Sequence, residues 1–105
     1  MRVSLVAEQN GAPVGFIMAR VDFGEFGRFE PMAVMDTIGV DPDYRDLGIG
    51  RALLSQLLIN LTTLRVERIR TEIHWRDRDL LAFLDNCGFK PSQQLCFEHA
   101  LDAVH

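Results

Sequence analysis

The sequence has little of what marks a secreted, metal-binding or nucleic-acid-binding protein. It holds only two cysteines, Cys87 and Cys96, and lacks paired-cysteine and His-Glu-x-x-His spacings, so neither a disulfide framework nor a metal site is predicted. Lys90 is the only lysine, and the net charge is −4, which argues against a partner with a phosphate backbone such as a nucleic acid. A reducing, cytoplasmic setting is therefore expected.

Long hydrophobic runs are also absent. Polar residues interrupt the most apolar stretch, residues 53–64, and the N-terminal apolar stretch is too short for a signal peptide, so no membrane association is expected. What is present is an ordinary globular balance, because 48% of the 105 residues are hydrophobic and 25% are charged. Without repeats or linkers, residues 1–105 are predicted to form a single domain.

The first third of the chain has the pattern of β-strands. Residues 3–8 and 14–21 are rich in β-formers, and Asn10-Gly11 lies between them, which predicts a hairpin because both turn residues tolerate positive φ. Residues 29–40 form a longer apolar run, which predicts a central strand covered on both faces.

The remainder alternates between helix and strand. Apolar residues recur at helical spacing over 50–64, and residues 66–75 alternate between two faces. Asp77 predicts the N-cap of a second helix that ends at about Cys87, and residues 93–100 predict a last strand. The central strand, helix and next strand form a βαβ unit. The predicted fold class is therefore α+β, with a mixed, mostly antiparallel sheet and one parallel pair.

The junction between the central strand and the first helix, residues 38–54, is the most informative stretch. Unpaired N–H groups and the helix dipole make such a helix start an anion site, and Gly48 and Gly50 allow close approach of a phosphate. A Walker loop would need Lys-Ser/Thr where Arg51-Ala52 stands, and a dinucleotide fingerprint would need glycine in place of Leu53.

This junction resembles the acetyl-CoA loop of the GNAT superfamily of N-acetyltransferases. The residues that carry the loop motif are Val40, Pro42, Tyr44, Arg45, Gly48 and Gly50. The later helix, which ends in Gly88-Phe89, is similar to a helix of the same family, and the resemblance extends from the hairpin through Phe97. It implies a three-layer α/β/α fold built around a splayed pair of parallel strands.

The resemblance also implies how acetyl-CoA binds. In this family the strand before the loop, here residues 38–40, pairs with the pantetheine arm, and the loop amides of residues 46–51 hold the pyrophosphate. Many members carry Asn at the position of Asp77, where it touches the CoA arm. The alternative for Asp77 is that it caps the helix and does not contact CoA. The implied cofactor-binding residues are Ile38, Gly39, Val40, Arg45, Asp46, Leu47, Gly48, Ile49, Gly50, Arg51 and Asp77.

Two carboxylates are candidates for the general base that deprotonates the acceptor amine. Glu72 matches the glutamate proposed as base in the ribosomal-protein N-terminal acetyltransferase branch, and Asp36 on the preceding strand is the competitor. The structural alternative for Glu72 is a solvated partner of Arg70 or His74. A backbone N–H near Ile38 would polarise the thioester oxygen.

The sequence departs from the family pattern in two ways. Leu84 stands where a Tyr frequently protonates the leaving thiolate of CoA. The usual N-terminal strand and two helices have no counterpart before the hairpin. Either the chain is a truncated form, or it is a minimal GNAT-like domain that relies on a partner, a need that a homodimer would meet.

The function that the resemblance implies is transfer of acetyl from acetyl-CoA to a primary amine by direct attack. The acceptor could be a small molecule, a lysine or a protein N-terminus, and the acidic balance suits a cationic one. The alternatives are a CoA-binding or degenerate partner module without turnover, and a site for another nucleotide's phosphate.

Overall fold

The structure, a computed structural model, describes residues 1–23 and 31–101. The chain divides into two compact units, unit 1 (Met1–Glu72) and unit 2 (Ile73–His105). The elements of unit 1 are β1 (Arg2–Gln9), β2 (Ala12–Asp22), β3 (Met32–Val40), a 3₁₀ turn (Pro42–Tyr44), α1 (Ile49–Thr63) and β4 (Arg68–Arg70). Unit 2 contains α2 (Arg78–Asn86).

The sheet of unit 1 has the strand order β1-β2-β3-β4. The β1–β2 and β2–β3 pairs are antiparallel, whereas β3 and β4 are parallel and are connected through α1. The predicted mixed and mostly antiparallel sheet, with one parallel pair in a βαβ unit, is therefore confirmed.

The β1–β2 hairpin forms at the predicted turn. Asn10 has φ 52° and Gly11 has φ 81°, and two successive left-handed residues are the requirement of the tight turn that suits the twist of paired strands. The strand period of two then directs Ile17, Ala19 and Val21 of β2 into the core, where each is at most 4% exposed.

Helix α1 packs its leucines on the sheet of unit 1. Leu53, Leu54, Leu57 and Leu61 recur at helical spacing and are all buried, which confirms the predicted helix and its apolar face. The first turn lies close to β2, because a Cβ built on Gly15 would be 3.0 Å from Ile49 Cγ2. The small residue at this place in β2 therefore sets how closely the start of the helix approaches the sheet.

Three predictions about strands are wrong. β4 covers Arg68–Arg70 rather than 66–75, because only these residues find partners on β3. Residues 93–100 alternate as a strand would, yet they pair with no strand in the described part of the chain. β3 lies between two strands as predicted, but Asp36 and Thr37 are exposed, so it is not covered on both faces along its length. Residues 29 and 30 of the predicted strand lie outside the described residues.

Helix α2 of unit 2 has the predicted ends. Asp77 is the N-cap, and its Oδ1 accepts a hydrogen bond of 3.2 Å from the backbone N–H of Leu80. Cys87 is the C-cap, and Gly88 follows with φ 93°, which glycine adopts without a steric penalty.

Among residues 1–23 and 31–101, no helix is long and apolar enough to cross a membrane. The same residues contain no group of three or more His, Cys, Asp or Glu side chains that could hold a metal ion.

Candidate active site

The parallel strands β3 and β4 separate after a short ladder. Their residue pairs run from Met32–Arg68 to Val34–Arg70, and no further β3–β4 pair follows in the described residues. Past Val34, β3 continues to Val40 and remains paired with β2 on its other side. Among residues 1–23 and 31–101, the backbone of 38–40 therefore has no strand partner on the side away from β2, and an extended chain of amide groups could pair with this edge.

The open edge leads directly into the start of α1. Asp41 closes the turn that follows β3, because its Oδ1 accepts a hydrogen bond of 2.9 Å from the backbone N–H of Asp43. Asp46 and Gly48 then adopt left-handed backbone conformations, with φ 65° and 78°. Gly48 is the N-cap of α1 and supplies no side-chain hydrogen bond, so no N-cap side chain satisfies the N–H groups of the first turn.

These features fit a phosphorylated ligand that carries an extended amide arm. The first-turn N–H groups and the dipole of a 15-residue helix favour an anion at Gly48, and the neighbouring strand edge offers backbone donors and acceptors to the arm. The predicted residues 38–40 and 45–51 lie on either side of residues 41–44, which include the 3₁₀ turn that connects the end of β3 to the start of α1.

Asp36 lies in a β-bulge of β3. Met18 pairs with Thr37 and Ala19 pairs with Met35, so Asp36 is an extra residue that has no partner on β2. Its Oδ1 accepts a hydrogen bond of 3.0 Å from Nε of Arg20, which is also an ion pair. Asp36 therefore lies where β3 and β4 separate, and one of its carboxylate oxygens already accepts a hydrogen bond from Arg20.

Glu72 follows β4 by two residues rather than lying on a strand. It is exposed and forms no hydrogen bond or ion pair with another residue in the described part of the chain, so the predicted structural partnership with Arg70 or His74 is not observed. Its neighbour Thr71 donates a hydrogen bond of 3.0 Å from Oγ1 to the carbonyl oxygen of Met35. This bond connects β3 to the segment after β4, one residue past the last strand pair.

An apolar surface lies over the strand edge at Gly39. A Cβ built on Gly39 would be 2.7 Å from Cε1 of Phe16, so the aromatic ring covers this glycine. Phe16 pairs with Val6 across the hairpin, and both side chains are largely exposed. They line a depression of about 400 Å³ that also reaches Val40.

Two further predicted positions belong to unit 2. Asp77 caps α2 through its side chain, as described above, and Leu84 is buried with 6% exposure. At the position where the resemblance leads us to expect a tyrosine hydroxyl, the chain thus carries a buried aliphatic side chain.

Sequence reasoning missed Arg20, which contacts the bulge residue Asp36, and Thr71, which contacts the adjacent Met35. Arg20 could have been noticed as a polar residue in an apolar strand, but its pairing with Asp36 depends on the bulge. No signal in the sequence marks Thr71, because its role depends on where the β3–β4 ladder ends.

A parallel strand pair that opens beside a helix started by glycine is an arrangement that suits a phosphorylated ligand at a βαβ junction. The model of the acetyltransferase (GNAT) family matches residues 2–89. This chain therefore belongs to the GNAT acetyltransferase family.

Two curated relatives are acetyltransferases. Over 81 residues the chain is 32% identical to the [ribosomal protein bS18]-alanine N-acetyltransferase of Escherichia coli strain K12, a match that covers 77% of this chain and 50% of that protein. Over 87 residues it is 29% identical to the mycothiol acetyltransferase of Propionibacterium freudenreichii subsp. shermanii, covering 73% of this chain and 28% of that protein. The chain thus spans half or less of the length of these relatives.

Solved structures confirm the fold. AAC(6')-Iy, in complex with the bisubstrate analogue CoA-S-monomethyl-acetylneamine, has a TM-score of 0.82 at 16% identity and covers 96% of this chain and 70% of its own. A putative acetyltransferase from Agrobacterium tumefaciens strain C58 has a TM-score of 0.82 at 18% identity, with 94% and 69% covered. At these identities the likeness concerns the fold alone.

Proposed function

We propose that this chain is an N-acetyltransferase that transfers the acetyl group of acetyl-CoA to a primary amine by direct attack. The observation that carries the proposal is the edge of residues 38–40, unpaired among the described residues, which leads into the start of α1 at Gly48, an N-cap without a side-chain hydrogen bond. Membership of the GNAT family supports the same reaction class.

The chain's own backbone would hold acetyl-CoA, which supplies the acetyl group as an activated thioester. Residues 38–40 would pair with the pantetheine amides as an added strand, and the N–H groups of 46–51 would bind the pyrophosphate. Arg45 and Arg51 add positive charge to this loop, and we propose that they screen the phosphates. A backbone N–H near Ile38 would donate to the thioester oxygen and stabilise charge that develops there.

We favour Glu72 over Asp36 as the general base. Glu72 is exposed and unpartnered in the described residues, so its carboxylate can accept the amine proton directly or through one water. Asp36 already accepts a hydrogen bond of 3.0 Å from Nε of Arg20, so one of its two carboxylate oxygens is engaged.

Direct transfer needs no nucleophile from the chain. The amine nitrogen forms the new C–N bond, the C–S bond breaks, and the amine proton passes to Glu72. The CoA thiolate then takes a proton from solvent, because Leu84 cannot donate one.

The acceptor class follows from charge and from the relatives. The net charge of −4 attracts cations, which suits an amine on a polyamine, a lysine or a protein N-terminus. The E. coli relative is named for a ribosomal-protein alanine, and the structural neighbour AAC(6')-Iy is an aminoglycoside N-acetyltransferase. A peptide with an N-terminal alanine and an aminoglycoside are therefore the first acceptors to test.

The test is release of CoA thiol from acetyl-CoA in the presence of an amine panel: an N-terminal peptide, a lysine peptide, a polyamine and an aminoglycoside. We expect release with at least one amine and a loss of about 10²–10⁴-fold in kcat/KM for Glu72→Gln. Asp36→Asn is the matched control, and its loss should be smaller. Tight CoA binding without release for any amine, unchanged by Glu72→Gln, would contradict the enzyme proposal.

A CoA-binding or degenerate module without turnover is the second candidate, and Leu84 favours it, because a buried leucine cannot donate a proton where a tyrosine is expected. Such a module would still be stabilised by CoA through mass action, by about 2.7 kcal/mol at a hundredfold excess over Kd. A thermal-shift titration in which CoA and ATP compete distinguishes both candidates from a site for another nucleotide. Both candidates predict that CoA stabilises the protein and that ATP does not displace it.

We also propose that the chain is cytoplasmic and forms a homodimer. Cys87 and Cys96 are free, as expected in a reducing compartment. Leu95, Phe97 and Leu101 are each at least 80% exposed in unit 2, and an apolar partner surface would cover them. Acetyl-CoA and the amine are the only other partners proposed.

A further inference from the structure

The ladder between β3 and β4 ends in an unusual bridge. The last strand pair is Val34–Arg70, and the next contact is the hydrogen bond from Thr71 Oγ1 to the Met35 carbonyl oxygen at 3.0 Å. Met35 is buried with 3% exposure, so its carbonyl lies where an unmet hydrogen bond would be unfavourable.

The bridge replaces a backbone hydrogen bond by a side-chain one. In a continued parallel ladder, a backbone N–H of the neighbouring strand would donate to a carbonyl in this position. Here the hydroxyl donates instead, which satisfies the carbonyl of Met35 while the two backbones move apart. The χ1 angle of threonine has few accessible rotamers, so the hydroxyl holds the bridge in a defined place.

We call the space between β3 and the segment after β4, where the two backbones move apart, the β3–β4 cleft. Its acyl end is the end next to the Thr71–Met35 bridge. We infer that Thr71 is a positioning residue that closes this acyl end and limits the length of the acyl group transferred. This inference rests on the proposed function, in which residues 38–40 bind the pantetheine arm. Between Met35 at the bridge and Ile38 lie only Asp36 and Thr37, which correspond to roughly 7–10 Å of extended strand. That space admits a thioester and a methyl group, whereas each added methylene brings the acyl chain closer to the bridge.

Removal of the hydroxyl should change this end of the cleft without changing the arm-binding edge. In Thr71→Val the side chain keeps its shape but no longer donates to the Met35 carbonyl. Water or a shifted backbone must then satisfy the carbonyl, and either change widens or loosens the closed end. Thr71→Ser keeps the donor and should keep the closure.

The experiment compares kcat/KM for acetyl-, propionyl- and butyryl-CoA with one amine. We expect the wild type to prefer acetyl-CoA, and the butyryl-to-acetyl ratio to rise at least tenfold in Thr71→Val while Thr71→Ser keeps the wild-type ratio. Thr63→Val is the matched control, because it removes a Thr-to-carbonyl hydrogen bond of 3.1 Å inside α1 and should leave the ratio unchanged. The Kd for CoA, which has no acyl group, should stay within about threefold in all variants.

A second measurement uses only the wild-type protein, so it does not depend on whether a variant folds. Calorimetric Kd values of the wild type for acetyl-CoA and butyryl-CoA should differ at least tenfold in favour of acetyl-CoA. Equal affinities for the two, or a wild-type ratio in a Thr71→Val protein with normal CoA affinity, would overturn the inference. Failure of the wild type to bind CoA or to acetylate any amine would instead contradict the proposed function, so the two failures are distinguishable.

Discussion

Single residues define the candidate site through one backbone contact each. Gly39 permits the ring of Phe16 to lie on β3, Gly48 supplies the left-handed start of α1, and Thr71 bridges to Met35. None of these contacts adds much buried area. They matter because each fixes the path of the backbone that would carry the cofactor and the acyl group.

Gly39→Ala is predicted to destabilise the protein by displacing the ring of Phe16. The new Cβ would lie 2.7 Å from Cε1, but the ring is 42% exposed and can turn outward, so we expect a loss of about 1 kcal/mol, near the low end for overpacking. Urea unfolding measures this change in the free energy of unfolding.

A double-mutant cycle supplies the control for this prediction. In a Phe16→Leu background the clash is absent, so Gly39→Ala should cost much less there. An equal cost in both backgrounds would mean that the ring of Phe16 does not restrict position 39.

Much of the loop could be predicted from residue types, because glycines and a strand-to-helix transition are local signals. The bulge at Asp36 could not, since the register between β2 and β3 shifts by one residue at Met18–Ala19. The partnership of Arg20 with Asp36 depends on that shift. The sequence alone therefore does not show that Asp36 contacts Arg20, which is the observation that distinguishes it from Glu72 as a candidate general base.

At the scale of elements, local signals predicted structure well where the element satisfies its own hydrogen bonds. The sequence predicts the β1–β2 hairpin, α1 and α2 to within one or two residues of their observed ends. Turn residues, caps and helical spacing are signals that lie within a short stretch of sequence. The predicted strand 66–75 is wrong in its extent, and the predicted strand 93–100 does not form among the residues that the structure describes. A strand needs a partner, and alternation alone does not say which residues find one.

The two roles of Asp77 can be separated by substitution. Asp77→Ala should lower the free energy of unfolding by about 1 kcal/mol, because the hydrogen bond to the Leu80 N–H is lost, whereas Asp77→Asn should retain most of it. Urea unfolding checks the cap, and calorimetric titration with CoA checks the cofactor role.

If Asp77 also contacts the CoA arm, Asp77→Ala should weaken CoA binding while Asp77→Asn preserves it, since asparagine occupies this position in many family members. A CoA affinity that is equal in wild type and both variants would limit Asp77 to capping.

For the whole molecule, charge and exposed apolar surface act in opposite directions. A net charge of −4 on 105 residues disfavours association at long range. The exposed Leu95, Phe97 and Leu101 favour it at contact, because removing apolar surface from water contributes about 25 cal/mol per Å². The two effects imply an association that strengthens with added salt, which screens the repulsion.

Sedimentation equilibrium should therefore give a mass near twice 11.9 kDa at high protein concentration, with a dissociation constant that decreases at higher salt. Phe97→Ser should shift the equilibrium toward the monomer. Ile59→Ser, which alters a side chain of α1 that is 57% exposed, is the matched control and should not. A monomeric wild type, or an equal effect of both substitutions, would contradict a dimer formed through residues 95–101.

The shortness of the β3–β4 ladder has a kinetic consequence. Three residue pairs and one hydroxyl hold β4 against β3, whereas the hairpin strands and α1 share a continuous core. Detaching β4 locally therefore requires only a fraction of the free energy of global unfolding. The segment around β4 can therefore open while the rest of unit 1 stays folded. If the chain transfers acetyl groups as proposed above, this opening would let the product and CoA leave, and such an opening step limits kcat in many enzymes.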